Sequence, residues 1–172
     1  VSIDEMTLFS AAVKRGASQK FVVADMPFGS YTGLHQGLKN AVKLFQATNV
    51  EALKLEGAYP YQLQLIKRLT EVGIPVMGHI GLTPQSVHQQ GGYFIHGKDE
   101  ISREQLLEFA FKLQDAGCFS IVLECVDAEL ATKITAQLSI PTIGIGSGIN
   151  CDGQVLVIND LFKMGTQRPP KF

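Results

Sequence analysis

Six short apolar runs of this chain each lead into groups able to do chemistry. Residues 21–24 (FVVA) lead to Asp25, and 51–55 (EALKL) contain Lys54 and lead to Glu56. Residues 75–78 (PVMG) lead to His79, 120–123 (SIVL) to Glu124, and 141–145 (PTIGI) to Gly146, Ser147 and Gly148. The last run, 154–158 (QVLVI), leads to Asn159 and Asp160. Asp25 and Glu56 are hard oxygen donors suited to Mg²⁺ or a similar cation, which keeps waters and substrate oxygens in its remaining positions. Lys54 lies two residues before Glu56, so on a strand both share one face. There the ammonium meets an anionic substrate, or simply pairs with Glu56. His79 is able to donate to a developing oxyanion; the alternative is a satisfied core histidine. Glu124 follows four apolar residues, and partial desolvation of its carboxylate suits a general base. Its alternative is a buried acid paired with Lys or Arg. Gly146 and Ser147 offer backbone N–H groups to an anion, or form a tight turn. A lone acid at a strand end commonly caps a helix. Five successive strand ends with chemically capable groups are harder to assign to capping alone.

Two patterns alternate along the chain and position these groups. The apolar runs are nearly continuous, as in strands of a buried parallel sheet. Between them lie amphipathic helices, such as Leu34, Leu38, Ala41, Val42 and Phe45, or Leu106, Phe109, Ala110 and Leu113. Leu63, Ile66 and Leu69 form another set, as do Leu130, Ile134 and Leu138. Ser2 with Glu5, and Ser102 with Gln105, have capping-box spacing. Asp127 is placed as an N-cap, and Gly16, Gly73 and Gly117 sit where helices should stop. Strand–helix alternation means a parallel sheet, open or closed into a barrel, and both put ligands at the C-terminal ends of the strands. The polar stretch 81–101 is long for a loop and is expected to serve function, shielding the site.

Composition narrows the classes. The 172 residues are 45% hydrophobic and 18% charged, with net charge −1. That fits one domain with a core and no basic stripe for nucleic acid. No apolar run approaches the ~18 residues of a membrane span, and no signal peptide is visible. The three cysteines, Cys118, Cys125 and Cys151, match no zinc spacing and read as reduced thiols of a cytoplasmic protein. His35, His88 and His96 have no ligand spacing, and no nucleophile elbow or phosphate loop is present.

Longer strings carry a resemblance. VADMPFGSY at 23–31, LKLEG at 53–57, GHIGLTPQSV at 78–87, GGY at 91–93, VLECV at 122–126 and IPTIGIGSGINCDGQVLV at 140–157 closely resemble ketopantoate hydroxymethyltransferase. The resemblance implies a (β/α)8 TIM barrel of the phosphoenolpyruvate/pyruvate superfamily type. It implies transfer of a hydroxymethyl group from 5,10-methylenetetrahydrofolate to 3-methyl-2-oxobutanoate through a Mg²⁺-stabilised enolate. The product is 2-dehydropantoate (ketopantoate), in pantothenate biosynthesis. Carried over by position, Asp25 and Glu56 serve the metal, the latter directly or through water. Lys54 and His79 bind the 2-oxo acid, with Asp25 also among the substrate-binding residues, and Glu124 removes the C3 proton. A large homo-oligomer, often a decamer, is implied as well.

The family begins with about two further strands, the second ending in a Gly-Asp-Ser motif that supplies another metal carboxylate. It also continues with C-terminal helices. Residues 1–172 are therefore expected to be one partial barrel domain, holding about strands 3 to 8. Two other readings stay open: a related metal-dependent 2-oxo acid lyase or aldolase, and a catalytically incomplete fragment or assembly subunit.

Overall fold

The computed structural model describes residues 1–164. Helix α1 (Ile3–Gly16) opens it, with the expected capping box between Ser2 and Glu5. Strand–helix units follow: β1 (Val23–Asp25), α2 (Leu34–Thr48), β2 (Ala52–Glu56), α3 (Pro60–Glu71) and β3 (Val76–Gly81). Residues 84–86 form a 3₁₀ turn that runs into α4 (Val87–Gln90), then α5 (Glu100–Asp115). The chain continues through β4 (Ser120–Glu124), α6 (Ala128–Gln137), β5 (Thr142–Ile145), β6 (Gly153–Gln154) and α7 (Ile158–Leu161).

All five strand pairings are parallel, and the order is β1-β2-β3-β4-β5-β6. That order decides between the two sheets the alternation allowed. A doubly wound sheet reverses at a switch point. Here each strand is added beside its predecessor, as around a barrel that closes with eight. The six strands are an arc of such a barrel, with β1 and β6 at its edges.

Register sorts the side chains. Asp25 pairs with Lys54, Glu56 with His79, and Gly81 with Glu124. Paired residues of parallel strands face the same side. Asp25, Lys54, Glu56, His79 and Glu124 therefore share one face. Leu53, Leu55, Val76, Ile80, Ile121 and Leu123 alternate onto the other and pack with Leu44, Leu65, Ile66, Leu69, Leu113 and Ile134 of the helices. One face of the sheet supplies the core, and the other carries the polar groups.

Two local expectations fail. The helix after the long loop is capped by Asp99, whose carboxylate accepts from Ser102 N–H. Ser102 Oγ instead accepts from Gly97 N–H, so Ser102 and Gln105 form no capping box there. The apolar run 154–158 is not a strand along its length. Pairing ends at Gln154, with one further bond from Val155 N–H to Gly144 C=O, and Val155, Leu156 and Val157 are exposed. Asn159 and Asp160 consequently lie in α7 and not at a strand end. The expected stops hold: α1 ends at Gly16, while Gly73 and Gly117 take left-handed φ just beyond α3 and α5.

Gly81 shows how closely the end of β3 approaches the end of β4. Its φ is +93°, and a Cβ there would lie 2.2 Å from the Glu124 carbonyl oxygen. Backbone cannot yield as a flexible side chain does. Gly81→Ala is expected to cost about 3 kcal/mol, from left-handed strain plus overlap. Urea unfolding monitored by circular dichroism measures it; a midpoint equal to wild type would mean the two strand ends separate easily.

Candidate functional site

At the C-terminal rim the polar residues of the shared face form one connected cluster. Lys54 is its hub. Its ammonium lies 2.8 Å from Asp25 Oδ2 and 3.3 Å from His79 Nδ1. An ammonium only donates, so Nδ1 must accept, and the neutral ring carries its proton on Nε2. Nε2 is 3.2 Å from Glu124 Oε2. The two atoms are close without a formed hydrogen bond, because Nε2 has no aligned partner among the described residues. The buried N–H is therefore left without an acceptor. On its other side, His79 Nδ1 is 3.9 Å from Glu56 Oε1.

The two acids near Lys54 are held differently. Asp25 gives one oxygen to Lys54, and its buried Oδ1 has no partner among the described residues. Glu56 is 4% exposed, and burial pushes its carboxyl above the usual carboxylate range. His79, Lys54 and a backbone N–H from Gln85 oppose that shift. A buried acid beside a part-exposed one with an unpartnered oxygen suits a hard divalent cation, whose charge would offset the desolvation of Glu56. The described residues hold no group of three His, Cys, Asp or Glu able to bind a metal. Two protein carboxylates still fit Mg²⁺, which retains water and takes substrate oxygens.

Glu124 ends β4, and Cys125 after it takes a left-handed φ of +49°. Such a conformation at a non-glycine residue carries strain that surrounding structure must hold. Here two backbone bonds hold it: Cys125 N–H to Ile145 C=O, and His96 N–H to Cys125 C=O. Burial, with Glu124 beside it, raises the Cys125 thiol; burial pushes Cys118 up to about 12. All three cysteines are free thiols.

Ser147 is 1% exposed, and its hydroxyl is committed to structure. It accepts from Val126 N–H and donates to Leu123 C=O, tying the end of β5 to that of β4. Its contribution at the rim is this tie, and Gly146 supplies the left-handed turn before it. Asn159 and Asp160 have no hydrogen bond or ion pair with the cluster among the described residues. His35 lies on α2 and His88 on α4. His96 is stacked on Phe94 and bridges to Val126.

Sequence reasoning passed over Gln85 and Tyr31. Tyr31 donates to Gln85 Oε1 at 2.9 Å, and burial together with the Glu56 charge pushes its phenol upward. Both line a small open hollow of about 70 Å³ beside Glu56, with Phe28, Tyr61 and Gln62. Gln85 stands inside the GHIGLTPQSV string, but nothing in its type marks it.

The family model for ketopantoate hydroxymethyltransferase matches residues 1–172. The chain belongs to that family. Among curated 3-methyl-2-oxobutanoate hydroxymethyltransferases, the protein of Bdellovibrio bacteriovorus is 53% identical over 173 residues, covering 100% of this chain and 65% of its own. That of Anaeromyxobacter sp. (strain Fw109-5) is 50% identical over 177 residues, covering 100% and 58%. That of Synechocystis sp. is 52% identical over 171 residues, covering 99% and 65%. The chain thus spans about three-fifths of the length of these relatives. No helix of the described residues is long and apolar enough to cross a membrane.

Among solved structures, a putative lyase/mutase from Burkholderia cenocepacia J2315 superposes with TM-score 0.64 at 15% identity, covering 98% of this chain and 60% of that one. A putative phosphonomutase from the same organism gives 0.63 at 13%, covering 84% and 62%. Identities this low speak for the barrel fold alone.

Proposed function

We propose that the ketopantoate hydroxymethyltransferase reaction is carried out on this rim. The Lys54-centred cluster, with Asp25, His79, Glu56 and Glu124 in contact at the strand ends, is the observation that carries the reading. A hydroxymethyl group passes from 5,10-methylenetetrahydrofolate to 3-methyl-2-oxobutanoate, giving 2-dehydropantoate and tetrahydrofolate.

The geometry supports a role for each residue. Lys54 pairs with the substrate's anionic end, and His79 Nε2–H points its donor at the keto oxygen. Glu124, at the far side of His79, takes the C3 proton. Negative charge then grows on the keto oxygen, where the imidazole N–H and the ammonium stabilise it in a partly desolvated setting. Water cleaves both C–N bonds of the folate methylene, leaving tetrahydrofolate and a formaldehyde unit; the C3 carbon adds to that carbonyl carbon, and the alkoxide formed takes up the proton that Glu124 removed. Asp25 Oδ1 and Glu56 would hold a divalent cation such as Mg²⁺, which supplies Lewis-acid charge to the 2-oxo acid when bound. Residues 1–172 belong to a single barrel domain in this reading. The family resemblance supports a cytoplasmic homo-oligomer.

The test uses deuterium exchange at C3 of 3-methyl-2-oxobutanoate, followed by NMR. The purified protein is expected to exchange the proton only with a divalent cation present, and to release 2-dehydropantoate only when methylenetetrahydrofolate is added. Carbon–carbon cleavage or addition without folate would instead assign a lyase or aldolase.

A further inference from the structure

Gln85 touches two neighbouring parts of the rim at once. Its backbone N–H donates to Glu56 Oε2 at 3.0 Å. Its side-chain Nε2 donates to the Met26 carbonyl at 2.9 Å, and its Oε1 accepts from Tyr31 at 2.9 Å. Met26 adjoins Asp25, is fully buried, and gives its own N–H to the Lys54 carbonyl. One half-buried residue from the loop after β3 therefore braces the loop after β1 and the acid that ends β2.

We propose that Gln85 is a positioning residue for the acid pair: it holds Asp25 and Glu56 in one geometry and so sets the cation affinity of the rim. This rests on the reading that Asp25 and Glu56 hold the cation. A carboxamide suits the task because it offers a donor and an acceptor without charge. A carboxylate at the position would lose the donation to Met26 and repel Glu56. Pro84 at the start of the 3₁₀ turn limits the backbone freedom of the segment that delivers Gln85. The hydroxyl of Tyr31 holds the carboxamide in the orientation that reaches Met26. Groups that brace metal-binding side chains typically change affinity by about 10–100-fold when removed.

Gln85→Met keeps length and the backbone N–H but loses both side-chain contacts. Tyr31→Phe removes only the hydroxyl that orients the carboxamide. Mn²⁺ titration followed by electron paramagnetic resonance reads cation affinity without turnover. The expected result is a Kd weakened about tenfold in Gln85→Met and a few-fold in Tyr31→Phe. The double variant should be no weaker than Gln85→Met, since both act through one side chain. Thermal midpoints in EDTA should stay near wild type, which separates positioning from loss of fold. A Kd within twofold of wild type in Gln85→Met overturns the proposal; if that variant does not fold, an unchanged Kd in Tyr31→Phe does so. Mn²⁺ binding unchanged in Asp25→Asn would overturn the underlying assignment of the acid pair instead.

Discussion

Glu124→Gln is expected to lower C3 proton exchange by about 10³-fold, within the range typical of losing a positioned general base. The amide has the carboxylate's shape and a similar volume, so folding should be little affected. What it loses is the ability to accept the proton. The carboxylate is 19% exposed at the end of β4, held by the left-handed Cys125 turn and facing His79 Nε2. In the amide variant, binding of the 2-oxo acid should change only a few-fold, because the Lys54 and His79 contacts remain. Isotope exchange at saturating substrate, with Kd from calorimetry, separates the two effects. Exchange at the wild-type rate would remove Glu124 from the role of base.

Lys54→Met carries the second large effect. Lys54 is the only cation touching Asp25 among the described residues, and it also fixes the His79 tautomer. Without it Asp25 stands beside Glu56 with no compensating ammonium, and His79 is free to place its proton on either nitrogen. Breaking one member of a largely buried charge set typically costs about 3–5 kcal/mol, which is discounted here because the Asp25 carboxylate is 36% exposed. A fall in kcat/KM of about 10²-fold is expected, with KM for the 2-oxo acid raised as the anion loses its partner. Lys54→Arg should rescue little, since a planar fork does not replace a point charge seated between a carboxylate and an imidazole. Steady-state kinetics of both variants checks this. Arginine restoring wild-type kcat/KM would mean that only net charge matters at this position.

The five groups of the cluster were legible because each stands at or near the end of an apolar run, and strand ends of a parallel sheet share one rim. Their types suggested the proposed chemistry before any contact was known. The capping of α1, the helix stops at Gly73 and Gly117 and the cap at Asp127 were legible for a similar reason: they depend on a few neighbouring residues. Where two local devices compete, the outcome was not legible. Ser102 and Asp99 both suit the start of α5, and Gly97 N–H, by taking Ser102 Oγ, leaves the cap to Asp99. The run 154–158 has the composition of a strand, but only its first residue pairs with β5, so burial never follows hydrophobicity there.

By itself, then, the sequence determined the alternation of strands and helices, the family, and which residue types stand at the rim. Those properties are written in periodicity and in contiguous motifs. Tertiary structure decided the sequential strand order that makes the sheet a barrel arc, and the register that sets Lys54 between Asp25 and His79. It also brought Gln85 to Glu56, 29 residues away along the chain. Contacts of that kind depend on how loops meet in space, and no local pattern encodes them.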